Sequence, residues 1–214
     1  MLSATCGSAL ATCCKRTPTE RKKRWIRRQI RDLPKACALL VEDESDVRLF
    51  PPLRAAWAKR GEQVRVALSG RNTQRVIFGA LNLRTGHMVL LWRYRQRALD
   101  FHAILCELRR RYRDRPVALL LDEDPSHTAH SSQRLAAKLD IRLLWLPKRC
   151  PELNPMDHLW RAPKQKVSAN HQDLTIERAV ERFLRYLRRL TPRAALRMAG
   201  VLSRHFWLRA AVSK

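Results

Sequence analysis

Val117-Ala118-Leu119-Leu120-Leu121-Asp122 is an unbroken apolar run closed by an acid. A run of this kind, with no polar alternation, reads as a strand buried on both faces, as parallel strands are when helices cover them. Ile141–Leu146 reads as a second buried strand, and Ser131–Leu139 between the two reads as a short helix. Upstream, Ala36–Val41, Gln63–Leu68 and Arg75–Leu83 have strand character, while residues 47–57 turn away from the first of them. Thr85-Gly86 lies between Leu83 and His87–Trp92, the mark of a hairpin. Antiparallel strands, then helix, strand, helix, strand and final helices predict an α/β fold with a mixed sheet.

Helical spacing appears in three places. Phe101, Ile104, Leu105 and Leu108 share a face within residues 98–112, and Ile176, Ala179, Val180, Phe183, Leu184 and Leu187 share another. Arg178, Arg182, Arg185 and Arg189 line the opposite side of that second helix. Thr191-Pro192 starts a last helix, expected to run to about Arg204, and Asn154-Pro155 starts one with Asn as cap and Pro in the first turn. Residues 15–35 are strongly basic and predict a helix ending before Pro34, which either follows a phosphate backbone or is a solvated linker.

Forty-four Lys and Arg against nineteen Asp and Glu give a formal charge of +25 and a pI near 11.3. Such a chain repels itself unless a polyanion meets it, and nucleic acid is the commonest such partner. Arginine dominates, which suits bidentate phosphate recognition. The 214 residues, 45% hydrophobic, suit one compact domain with short extensions rather than a disordered chain. No apolar run approaches a membrane span, and Met1–Cys14 lacks the basic start of a secretory signal. Cys6, Cys13, Cys14, Cys37, Cys106 and Cys150 form no paired CxxC framework; Cys37 and Cys106 read as small core hydrophobes. A reduced, cytoplasmic setting follows.

In so basic a chain, acids placed after apolar runs need a reason. Asp43 follows Ala38-Leu39-Leu40-Val41-Glu42, Asp122 closes the run quoted first, and Asp157 follows Pro151-Glu152-Leu153-Asn154-Pro155-Met156. Carboxylates brought together there would suit Mg²⁺, which takes hard oxygen ligands and keeps positions open for phosphate and water. Two such ions, about 3.5–4 Å apart, would serve phosphodiester chemistry. A lone Asp at a strand end more often merely ends the strand.

The flanking motifs carry a more specific signal. Val41-Glu42-Asp43-Glu44-Ser45 is followed by Leu53-Arg54-Ala55-Ala56-Trp57-Ala58-Lys59-Arg60-Gly61. Leu120-Leu121-Asp122 has His127 five residues on, and the last block is Leu146-Pro147-Lys148-Arg149-Cys150-Pro151-Glu152-Leu153-Asn154-Pro155-Met156-Asp157-His158-Leu159-Trp160. Thirty-four residues separate Asp122 from Asp157. In these blocks the chain resembles the mariner-related superfamily of DDE/DDD transposases, in its bacterial insertion-sequence branch. The resemblance implies an RNase H-like catalytic domain over residues 36–170, after a basic tail or linker (1–35) and before basic helices (171–214) that pack on it. It further implies Asp43, Asp122 and Asp157 as the catalytic, metal-holding residues for two Mg²⁺ or Mn²⁺ ions. The activity implied is cleavage at a transposon end, followed by attack of the freed 3′-hydroxyl on target DNA. Expected partners are double-stranded DNA, a second copy of the chain and a separately encoded helix-turn-helix half, in the bacterial nucleoid. The rival readings are a non-catalytic, DNA-binding remnant and a standalone RNase H-like nuclease.

Several neighbours need assigning. Lys148 and Arg149 flank the third acid and are DNA candidates, joined by Lys164 and Lys166. Asp157 is preferred to Glu152 as the third acid. Glu44, next to Asp43 on a strand, should face the other way and pair with an arginine. Glu123 and Asp124 stand behind the ligands or add charge that perturbs them. His127 either orients water or phosphate or makes a loop hydrogen bond. Trp57, Trp92, Trp145 and Trp160 either stack on bases or pack in the core, with Trp145 the strongest core candidate.

Overall fold

A computed structural model describes residues 17–55, 57–61, 65, 66, 68 and 70–212. Five strands form one sheet in the order β3-β2-β1-β4-β5. They are β1 (Ala38–Arg48), β2 (Gln74–Asn82), β3 (Met88–Arg93), β4 (Val117–Leu121) and β5 (Ile141–Trp145). The first three run antiparallel, whereas β4 and β5 run parallel to β1. The mixed sheet expected from the sequence is therefore present. The Gln63–Leu68 strand falls largely outside the described residues; Arg65, Val66 and Leu68 carry no regular structure.

Alternation along β1 splits the core in two. Leu39, Val41 and Val47 face one side, where α1 (Pro18–Arg31), α5 (Pro155–Pro163), α6 (Ile176–Arg188), α7 (Pro192–Met198) and α8 (Arg209–Val212) contribute buried apolar residues. Ala38 and Leu40 face the other, against α2 (Ala98–Arg111) and α4 (His130–Lys138). The amphipathic face of α6 is buried as its spacing predicts, from Ile176 to Leu187. Each large apolar side chain so buried contributes about 1.5–3 kcal/mol.

Five expectations are corrected. β1 does not end at Val41 but continues through the acids to Arg48, because β2 pairs with it from Leu40↔Asn82 to Arg48↔Gln74 and bonds the peptide groups on that side. β5 is an edge strand rather than a buried one, with Arg142 exposed and Trp145 only half-buried. Part of the presumed N-terminal tail belongs to the core: Ile26 and Ile30 of α1 are almost fully buried. The helix after Thr191 stops at Met198, just before Gly200 at φ +73°. Cys37 is buried but Cys106 is exposed.

Pairing along β1 also places the site. β4 pairs with β1 only from Ala38↔Val117 to Val41↔Leu120, so the two central strands part just before Asp43 and Asp122. In open α/β sheets, ligands bind beyond the carboxyl ends of such strands.

Candidate active site

Asp43, Asp122 and Asp157 line one open pocket of about 390 Å³ where β1 and β4 part. A water occupies roughly 30 Å³ in the liquid, so ions, water and a phosphate fit there together. Asp157 arrives on the first turn of α5, whose start the sequence foretold. Asn154 caps it, its side chain accepting from the Met156 amide at 3.0 Å, with Pro155 in the first turn. Asn154 also donates to the Glu42 carbonyl at 3.2 Å, which ties the helix start to β1. Glu152 is exposed and lines a different hollow, with Leu153, Pro155 and His158. Of the two acids in that loop, only Asp157 faces the pocket.

Asp43 is held from the α5 side. Trp160 Nε1 donates to its Oδ2 at 3.0 Å. The indole fits because its neighbour is Gly79, which pairs with Asp43 across β1 and β2. A Cβ at Gly79 would lie 2.5 Å from Trp160 Cη2 and 2.7 Å from Met156 Cε, closer than atoms tolerate. Burial, with the Glu44 and Asp122 charges, pushes the Asp43 carboxyl up to about 7, and the Trp160 bond opposes the rise.

Asp122 is held from the opposite layer. His127 lies on the short helix α3 (Pro125–Thr128), whose cap is Asp124; the Asp124 side chain accepts from Ser126 N at 2.8 Å and Ser126 Oγ at 2.7 Å. The imidazole donates through Nδ1 to Asp122 Oδ1 and through Nε2 to Glu44 Oε1, both at 2.9 Å. Glu42 Oε2 stands 3.5 Å from the same Nε2. Burial opposes charge on the ring, but the Asp122 bond and the Glu42 and Glu44 charges push His127 up to about 11, so it is an imidazolium. Its bond holds Asp122 below the usual carboxylate range. Burial raises both Glu42 and Glu44. Glu44 thus faces away from Asp43, as alternation requires, but its partner is His127 rather than an arginine.

Among the described residues, only Glu42, Glu44 and His127 bring three ligand atoms within 4.8 Å of one another. The aspartates are spread wider around the pocket. Three carboxylates on one pocket, one of them pushed to about 7 by burial and like charge, form a donor set that a divalent cation would compensate.

Cations gather on the rim. Lys148 and Arg149 line the pocket, and Arg149 holds φ +55°, a conformation costing a non-glycine residue roughly 1 kcal/mol. Glu123 pairs with Lys22 of α1 and with Lys148 at 3.3 Å, and Lys22 holds its carboxyl below the usual range. Lys164 and Lys166 lie on a π-helical turn (Lys164–Ser168) after α5 and do not line the pocket. The arginine stripe of α6 is partly committed, Arg182 to Asp173 and Arg185 to Glu181. Trp160 packs in the core, whereas Trp57 is fully exposed.

An RNase H-like sheet with carboxylates where its β1 and β4 strands part defines the class, and the comparisons with known proteins agree with it. A family model described as DDE superfamily endonuclease matches residues 38–178, and the chain belongs to that family. It is 26% identical over 156 residues to an insertion element IS630 uncharacterized 39 kDa protein of Shigella sonnei, spanning 72% of this chain and 46% of that protein. The chain thus spans about half the length of that curated relative. Its fold is similar to the catalytic domain of Mos1 mariner transposase, with a TM-score of 0.62 and 16% identity over 91% of this chain and 92% of that one. It is similar too to a mariner Mos1 paired end complex with Mg, with a TM-score of 0.67 and 17% identity over 99% of this chain and 66% of that one.

Proposed function

We propose that this chain carries the catalytic centre of an insertion-sequence transposase, cutting and joining DNA with Asp43, Asp122 and Asp157 holding two Mg²⁺ or Mn²⁺ ions. The observation that carries the reading is the convergence of these three acids on one pocket rimmed by Lys148 and Arg149. Bound there, the ions would offset charge on the attacking and leaving oxygens of an in-line displacement. The chain's own residues supply the rest. Trp160 and His127 hold the two strand carboxylates in place, while Lys148 and Arg149 hold the phosphate backbone beside them. Lys164 and Lys166 extend the basic track along the duplex beyond α5. Double-stranded DNA is the partner, as the +25 charge supports. Among the described residues, no helix is long and apolar enough to cross a membrane.

The test is nicking and strand transfer on duplexes bearing the terminal repeats that flank the chain's own gene. Mg²⁺- or Mn²⁺-dependent cutting at the repeat end, abolished by Asp157→Asn and retained by Glu152→Gln, is the expected result, with DNA binding kept in both. Cutting of branched or hybrid substrates without preference for a repeat end would instead support a general nuclease. Binding with no cutting under any metal would leave a DNA-binding remnant and sink the catalytic reading.

A further inference from the structure

We propose that His127 is a positioning residue for Asp122, anchored by Glu44, so that β1 fixes one metal-holding aspartate directly and the other through an imidazole. The inference rests on the reading of Asp122 as a metal ligand. Asp122 needs such a support. It is the first residue past β4, beyond the last pair Leu121↔Trp145, and its side chain is 56% exposed. A carboxylate so placed would sample several rotamers on its own.

His127 removes that freedom. The ring is 1% exposed and lies against Phe101, with centroids 4.4 Å apart and planes at 50°. Both nitrogens are engaged, Nδ1 by Asp122 and Nε2 by Glu44, so the ring cannot turn without breaking one bond. Glu44 is adjacent in sequence to Asp43 and on the opposite face of the same strand. The path Asp43–Glu44–His127–Asp122 therefore ties the two carboxylates by one peptide bond and two hydrogen bonds.

The bonds also divide the work between Asp122's oxygens. Oδ1 accepts both His127 Nδ1 at 2.9 Å and the Asp124 amide at 3.1 Å. Among the described residues, no donor reaches Oδ2, and the residue lines the pocket. One oxygen is saturated, the other is left for a ligand. Outer partners of this kind, when removed, typically cost about 10–100-fold in metal affinity.

Two conservative variants separate positioning from mere packing. Asn places its Nδ2 near the former Nδ1 and can keep the Asp122 bond; Gln places its Nε2 near the former Nε2 and can keep only the Glu44 bond. Mn²⁺ binding to the full chain without DNA, followed by electron paramagnetic resonance, is the readout, with melting temperature measured alongside. We expect His127→Gln to weaken Mn²⁺ binding by about tenfold or more, and His127→Asn to restore most of it at a similar melting temperature. Equal Mn²⁺ affinity in the parent and His127→Gln overturns the inference, as does a loss that follows melting temperature alike in both variants. Should His127→Gln not fold, Glu44→Leu with Glu42→Leu removes both carboxylates that face Nε2 and leaves the Asp122 bond; unchanged affinity there overturns the inference equally. Asp43→Asn is the control for the underlying reading. Mn²⁺ binding indifferent to Asp43 sinks the metal reading itself, while Asp43-dependent binding unmoved by His127→Gln sinks only the positioning role.

Discussion

Two faces of β1 meet the same problem, a carboxylate in the interior, and answer it differently. On the α5 face Asp43 has only neutral donors, the Trp160 indole and the Glu44 amide, and lines the pocket with its carboxyl pushed up to about 7. On the α2 face Glu42 and Glu44 share one imidazolium, which burial alone would have discharged. The first is an acid that no internal cation faces, which is what the proposed metal role requires. The second is a cluster in which one internal cation faces Glu44 and Asp122, while burial and like charge raise the Glu42 carboxyl. The difference teaches that acidity alone does not mark a ligand; what matters is whether the protein already supplies the counter-charge.

Asp43→Asn should have the largest effect. The amide still accepts from Trp160, so the fold survives, but metal-dependent strand cleavage should fall more than about a hundredfold, beyond the loss typical of a supporting group. Single-turnover cleavage measures it.

Next comes pH. Asp43 has a folded value near 7 against 3.8 for the free group, so its contribution to stability is full below pH 4 and is lost as pH rises to 7. His127, raised from 6.5 to about 11, contributes fully below 6.5 and loses its share as pH climbs through 11. Metal-free protein should therefore become less stable by a few kcal/mol between pH 5 and 7, and the slope should flatten in Asp43→Asn. Denaturant midpoints across that range decide it.

Gly79→Ala attacks the indole instead. The added methyl meets Trp160 and Met156, and overpacking of this kind costs about 1–3 kcal/mol. Metal affinity should fall with stability, since Trp160 must move away from Asp43. Trp160→Phe is gentler: it keeps most of the ring volume and loses one hydrogen bond, costing about 1 kcal/mol. It should also raise the Asp43 carboxyl further, visible as weaker Mn²⁺ binding below pH 7. At the exposed end of β1, Arg48→Ala removes a solvent-facing pair with Asp46 and should change stability by no more than about 0.5 kcal/mol in thermal melts.

Local patterns made much of this legible. The apolar run at Val117–Leu121, the Asn154-Pro155 helix start and the apolar face of α6 depend on neighbours in sequence, and each appears where its pattern put it. β5 escaped because an edge and a central position differ in what lies alongside, not in composition. Glu44 escaped for a similar reason. Alternation correctly turned it away from Asp43, but its partner lies 83 residues on, in a four-residue helix that no periodicity announces. Asp124 looked like spare acid beside the site and is the cap of that helix. Trp160 carried one available signal: it stands three residues after Asp157, on the same side of one helix, and so next to the pocket.

By itself, the sequence determined the alternation of strands and helices, the net charge and the three aspartates with their flanking blocks, all of which rest on short-range periodicity and residue chemistry. Only the tertiary structure decided which acids face an internal cation and which have only neutral donors. That depends on a glycine making room for an indole, and on a histidine reaching across the end of the sheet, contacts between residues far apart in the chain that no local pattern encodes.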